Sequence, residues 1–221
     1  MDSSSELNKE KTESNKIESK DIFKNLKNDF FLQKLFYNLS KKKTLDIIKY
    51  NNKIKERINI CIKDYKEYSE IYSSIEIEIK PMENKYGRFI NIKEGDEEYY
   101  HIYYNDNKKE QIKSTSLNEN DKVSKINIII DYQVESFCKL FYDCYCIESI
   151  CFKKFYRNNI TNMCSLFDGC SSLKELNLNN FNTNNVTDMS CMFSKCSDEL
   201  KLKLKSKFNE FKEEAFEDYE D

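Results

Sequence analysis

The chain has 221 residues, enough for one or two domains, with 39% hydrophobic and 14% aromatic residues, so a packed core is within reach. Three glycines and one proline exclude collagen-like and proline-rich classes, and a net charge of -3 gives no reason to expect nucleic acid. Apolar runs such as Ile128 to Ile130 are far shorter than a membrane span, and Met1-Asp2-Ser3-Ser4-Ser5-Glu6 shows no apolar leader. The expectation is a cytoplasmic, intracellular monomer with no membrane contact.

In chain order, residues 1–20 are polar and charged, with Leu7 and Ile17 as their sizeable apolar groups. They bury too little to offset ordering entropy and read as a disordered arm. Residues 21–73 read as helices. Asp21 is a candidate cap, and Phe23, Leu26, Phe30, Phe31, Leu35 and Leu39 recur at amphipathic spacing. A polar turn is expected at Ser40 to Lys43. A second helix follows with Leu45, Ile48, Ile54, Ile58 and Ile62, and a third or a lead-in covers Asp64 to Tyr72. Lysines at 41, 42, 43, 49, 53 and 55 make the segment basic, which reads as a solvated helix face, with an acidic partner as the alternative.

Near Ser74 the period changes. Ile75, Ile77 and Ile79 alternate with Glu76, Glu78 and Lys80, the pattern of a strand with one wet face, and Pro81 ends it. Further strands are expected at Arg88 to Lys93, at Tyr99 to Tyr104 after a Gly95-Asp96 turn, and at Ile126 to Ile130. Together, residues 74–131 predict a small, mostly antiparallel sheet. His101 falls inside it and reads as structural, because general-base chemistry also needs an orienting partner and a nucleophile.

From residue 132 the chain repeats itself every 26 residues. Val134, Ile160 and Val186 align, as do Phe141, Phe167 and Phe193, and Cys144, Cys170 and Cys196. Ile150, Leu176 and Leu202 follow, then Phe152, Leu178 and Leu204. A fixed period with L-x-L at one phase marks a leucine-rich solenoid, whose single repeats need neighbours and capped ends. The sheet is expected to close one end. A helix over residues 206–221, with Phe208, Phe211, Ala215, Phe216 and Tyr219 inward and an acidic tail in solvent, is expected to close the other. The fold class is therefore α+β.

Eight of the nine cysteines lie between Cys138 and Cys196. Their recurrence in repeat phase (Cys138 with Cys164, as well as the trio above) reads as reduced, buried wall filler. Zinc would need convergent paired hooks, which the spacing lacks, and disulfides between rungs are the other alternative. No metal or cofactor is expected.

The stretch ITNMCSLFDGCSSLKELNLNNFNTNNVTDMSCMF resembles the BspA-like leucine-rich repeats, also called the DUF285 repeat, with pattern NVTxMSxMFxxCSSLxxLxLSNFNT. The likeness spans about 134 to 204, and the first repeat departs from it, with Phe137 for Met and Tyr145-Cys146 for Ser-Ser. It implies a curved solenoid used in protein binding, often on microbial surfaces or in protist expansions, without catalytic residues. On its strand-lined face Leu176 and Leu178 point inward. The outward residues Ser149, Cys151, Lys153, Glu175, Asn177, Asn179, Lys201, Lys203 and Lys205 are then the candidate surface for a protein partner. A second, shorter likeness is to a degenerate F-box. Phe31, Leu35, Phe36, Leu39, Leu45 and Ile48 match its apolar skeleton without the opening Leu-Pro, implying a substrate adaptor of a ubiquitin ligase. Sequons at Asn38, Asn159 and Asn185 follow from the abundance of Asn and from the repetition. With no phosphate loop or Cys/His pair in the sequence, the leading expectation is a non-enzymatic interaction protein.

Overall fold

The computed structural model describes residues 28–48, 51–107, 109, 111–178, 181, 183–209 and 211–218. The arm at 1–20, the Asp21 cap, Phe23 and Leu26, and the last three residues of the acidic tail lie outside these. The chain divides into two compact units, Met1–Tyr68 and Ser69–Asp221.

In the first unit, α1 (Asp29–Tyr37), α2 (Lys41–Ile48) and α3 (Asn52–Arg57) precede α4 (Ile62–Tyr72), which runs on into the second unit. Asparagines punctuate them. Asn28 and Asn51 side chains accept N-terminal amides from Phe30 and Ile54. Asn59 takes a left-handed φ of 59°, and Ile60 and Asn59 donate back to the carbonyls of Lys55 and Glu56, closing α3 in a Schellman turn. The expected turn at Ser40 to Lys43 is thus shorter, because Lys41 already opens α2. The apolar stripe also differs from expectation. Leu32 and Phe36, four apart, pack with Leu45, Ile48 and Ile54, while Phe30, Phe31 and Leu35 stay exposed.

In the second unit, β1 (Ile75–Pro81), β3 (Tyr100–Tyr104), β5 (Ile126–Ile130), β6 (Ile147–Lys154) and β7 (Glu175–Asn177) form one five-stranded sheet in the order β3-β5-β1-β6-β7. All neighbours are antiparallel except β6 and β7. The alternation read at Ile75, Ile77 and Ile79 is a buried stripe, and Ile126, Ile128 and Ile130 continue it on β5. Two expectations change. The predicted small sheet and the repeats are not consecutive modules, since β1 pairs with β6 of the first repeat (Ile77↔Phe152, Ile79↔Ile150). And Arg88 to Lys93 is not a strand of that sheet. Phe89 and Ile90 are both fully buried, which breaks alternation, and only β2 (Gly87–Arg88) pairs, with β4 (Ser116–Leu117), in a separate ribbon.

The repeats lie in register, one on the next. Phe141, Phe167 and Phe193 form a column of parallel rings with centroids 5.7 and 5.6 Å apart. The Phe141 amide donates to Leu166 O (2.9 Å) and the Phe167 amide to Met192 O (2.8 Å). The Phe193 amide donates to Ala215 O (2.8 Å), so the segment after the third repeat takes the place of a fourth. Single parallel bridges link Ser136, Asn162 and Asp188. Those three side chains also accept the amides of Cys138, Cys164 and Ser190, two residues on, which explains the recurring polar residue at that phase. Cys144, Cys170 and Cys196 are buried as expected, and the Cys170 and Cys196 thiols donate to the carbonyls of Phe141 and Phe167 in the preceding repeat. Burial holds both thiols well above their ordinary pKa, that of Cys196 up to about 12. Cys138 departs from the expected pattern, because it is exposed.

The third repeat does not end in a strand. Its L-x-L segment is helix α5 (Asp198–Lys207), capped by Ser197 Oγ accepting from Leu200 N. Asp198 and Glu199 in its first turn and Lys205 and Lys207 in its last suit the helix dipole. The position of buried Leu173 is taken here by Glu199, and Leu200 and Leu204 form the inward i,i+4 pair. Leu202, expected inward, is 68% exposed. The closing helix predicted at 206–221 is therefore earlier in the chain. The end is closed by a single 3-10 turn, Glu213–Ala215, with buried Ala215 and with Phe216 stacked 5.2 Å from Phe193.

Candidate functional site

Alternation fixes two faces on the sheet. Ile75, Ile77 and Ile79 of β1 and Ile126, Ile128 and Ile130 of β5, with Ile150, Phe152 and Leu176, form the inner one. The outer one is read off the register. Lys80, Ser149 and Glu175 make one row across β1, β6 and β7. Tyr103, Asn127, Glu78, Cys151 and Asn177 make another across all five strands. Lys153 stands beside the second row, its Nζ 3.0 Å from Glu78 Oε1.

Ion pairs knit this face. Glu78 also receives Lys125 at 3.6 Å, and Lys125 reaches Asp106 at 3.1 Å. Glu148 sits between Lys80 at 2.5 Å and Lys174 at 3.1 Å. Hydrogen bonds from those two lysines hold its carboxyl below the usual range, and Glu148 in turn raises Lys80. Glu78 likewise raises Lys153. All of these groups meet solvent, so the network orients side chains more than it stabilises the fold, and salt weakens it.

Of the nine sequence-predicted surface residues, the structure brings five together here: Ser149, Cys151 and Lys153 from the first repeat, with exposed Glu175 and Asn177 from the second. Leu176 and Leu178 point inward, as expected. Asn179 lies outside the described residues. Lys201, Lys203 and Lys205 are not on the strand-lined face. They belong to α5 and pair with Asp218 (2.9 Å), Glu199 (2.6 Å) and Glu213 (2.9 Å). Asp218 Oδ1 also accepts the Lys195 amide at 2.8 Å, and this bond keeps its carboxyl below the ordinary carboxylate range. Lys201 and Lys205 thus fasten the closing segment to α5, while the Lys203–Glu199 pair stays within the helix. Beyond β7, where a third-repeat strand was expected, an open groove of 390 Å³ runs along α5 and is lined by Leu176, Leu200, Leu204, Lys174, Lys203 and Lys207, among others.

Sequence reasoning did not place Glu76, Glu78 and Lys80 on the same face as the repeats. The usable signal was present, since the wet alternation of β1 matches that of β6, but pairing between strands so distant in sequence is not written in either one. Arg157 was missed altogether. It is fully buried, and its guanidinium donates to Asp131 O (2.9 Å), Asn159 Oδ1 (2.9 Å) and Val134 O. Burial lowers its pKa to about 10, so it stays a cation at neutral pH, its N–H groups accepted by neutral oxygens at the entry to the first repeat. His101 Nε2 lies 3.1 Å from Asp131 Oδ2 and Nδ1 lies 3.5 Å from Gln111 Oε1, so the imidazole ties its strand to the same turn.

Residues 111–218 match the family described as Mycoplasma protein of unknown function, DUF285. The match takes in β4, β5, the three repeats and the closing turn, a little under half of the chain. The likeness is to that stretch alone. The helices at 31–48 fall outside the DUF285 stretch, and no comparison supports the F-box resemblance. No curated protein and no solved structure matches the chain. Among the described residues no helix is long and apolar enough to cross a membrane.

Proposed function

We propose that the DUF285 stretch builds a short solenoid and that the chain is a non-enzymatic protein-binding module that works through the outer face of its five-stranded sheet. One observation supports this reading above others. The first two repeats extend the sheet by one strand each, and each strand adds polar side chains at the same level, so that Lys80, Ser149 and Glu175, and then Glu78, Cys151 and Asn177, stand in rows. A face of this kind, with mixed charge and regular spacing, suits a polar protein surface with complementary charges. The His101–Asp131 pair, the nearest approach to catalytic chemistry, is occupied as a clamp between a strand and a turn.

The test is affinity capture from native cells with the wild-type chain and with a Lys153→Glu/Asn177→Arg double variant. Both positions are on the wet face, so folding, read by circular dichroism, is expected to be unchanged. Specific partners are expected to fall at least about tenfold, the effect of losing roughly 1.4 kcal/mol of interface energy. A Lys203→Glu variant on α5 is expected to keep them. Equal recovery with all three chains would remove the outer face from consideration.

A further inference from the structure

Cys138 and Cys164 hold the same phase in the first and second repeats, and their sulfurs lie 2.7 Å apart. That is closer than two unbonded sulfurs rest and about 0.6–0.7 Å beyond the roughly 2.05 Å of a disulfide bond. The backbone under each sulfur is held in the same way. The Cys138 amide donates to Ser136 Oγ, the Cys164 amide to Asn162 Oδ1, and the Lys139 amide, next in line, donates to Cys164 O at 2.9 Å. Neither thiol packs into the column of Cys144, Cys170 and Cys196. Cys138 is exposed and Cys164 half-buried. At the same phase the third repeat has Ser190, so the sulfur ladder is one pair long.

We propose that Cys138 and Cys164 are a modification site, oxidised to a disulfide by a low-molecular-weight disulfide, which clasps the first repeat to the second. The steps balance as follows. The Cys138 thiolate, having given its proton to solvent, attacks one sulfur of the small disulfide, whose S–S bond breaks. The departing thiolate takes up a proton, and Cys138 holds the mixed disulfide. Cys164 Sγ then attacks Cys138 Sγ, the second small thiolate leaves, and it takes the proton that Cys164 gives up. The protein loses two protons and two electrons, and one small disulfide becomes two small thiols. Exposure makes Cys138 the first to react. Partial burial and the bond with Cys138 raise the Cys164 thiol, which leaves Cys138 as the sulfur that attacks first.

The test equilibrates the full chain with glutathione disulfide at graded ratios to glutathione, then alkylates it and maps peptides without reduction. The expected product is a single intramolecular link joining the peptides of Cys138 and Cys164, with the other seven cysteines alkylated. Oxidised wild type is expected to melt about 6–12 °C above the reduced form, from the usual effect of closing a loop of this length. Cys164→Ser is expected to show neither the link nor the shift. Serine is accommodated at this phase in the third repeat, and Cys138→Ser gives the same reading should Cys164→Ser fail to fold. Persistent alkylation of both thiols in excess glutathione disulfide, a link to any other cysteine, or a dimer bridged through Cys138 would each overturn the proposal.

Discussion

Gly169 of the second repeat stands against Asp143 of the first. Its φ is +75°, and a Cβ built on it would lie 2.1 Å from Asp143 Oδ1 and 3.2 Å from Asp143 Cα. The neighbouring repeats adopt the same left-handed backbone with ordinary residues, Asp143 at +54° and Lys195 at +53°. Conformation alone therefore does not demand glycine, and the contact with Asp143 does. Gly169→Ala is expected to destabilise the protein by about 2–4 kcal/mol, the sum of a left-handed alanine and an overpacked contact, read as a lower urea midpoint at unchanged slope. A change under about 0.5 kcal/mol would mean that the repeats sit farther apart than described. Arg157 teaches a different lesson at this scale. Two of its three partners are main-chain oxygens, of Asp131 and Val134, which any residue would supply, and the third, Asn159 Oδ1, belongs to one of many asparagines, so the side-chain pattern did not announce it.

Among the elements, those whose burial follows local period were legible. Ile75, Ile77 and Ile79 gave β1, and the repeat phase gave the phenylalanine and cysteine columns. The third L-x-L was misread because Leu200, Leu202 and Leu204 satisfy two periods at once. As a strand they would bury Leu202 and Leu204; as a helix they bury Leu200 and Leu204. The Ser197 cap and the Leu, Lys and Glu of α5 decide for the helix. Substitution separates the two readings. Leu204→Ala is expected to cost about 2–4 kcal/mol, as for any buried leucine, while Leu202→Ala, 68% exposed, should stay within about 0.5 kcal/mol of wild type. A large loss at Leu202 in thermal or urea unfolding would return the segment to a strand. The same ambiguity explains α1, where the apolar residues outnumber the buried positions and the inward pair proved to be Leu32 and Phe36.

At the scale of the whole molecule, the sequence showed a sheet and a set of repeats but not that they share strands. That depends on β1 entering between β5 and β6, a pairing between residues about 70 apart along the chain. The consequence for function is direct. Had the sheet merely abutted the repeats, the candidate surface would have been the L-x-L flanks alone; because β1 is built in, Glu78 and Lys80 become part of it. Native-state hydrogen exchange tests most directly whether the repeats form one cooperative stack joined to that sheet. The amides of Phe141, Phe167 and Phe193, each bonded to the next layer, and of Ile77 and Ile79 are expected to exchange together, at the slow rate set by global unfolding. Exchange of the three phenylalanine amides at loop rates, while β1 stays protected, would rule out a cooperative stack and leave the repeats as separate loops hung on a sheet.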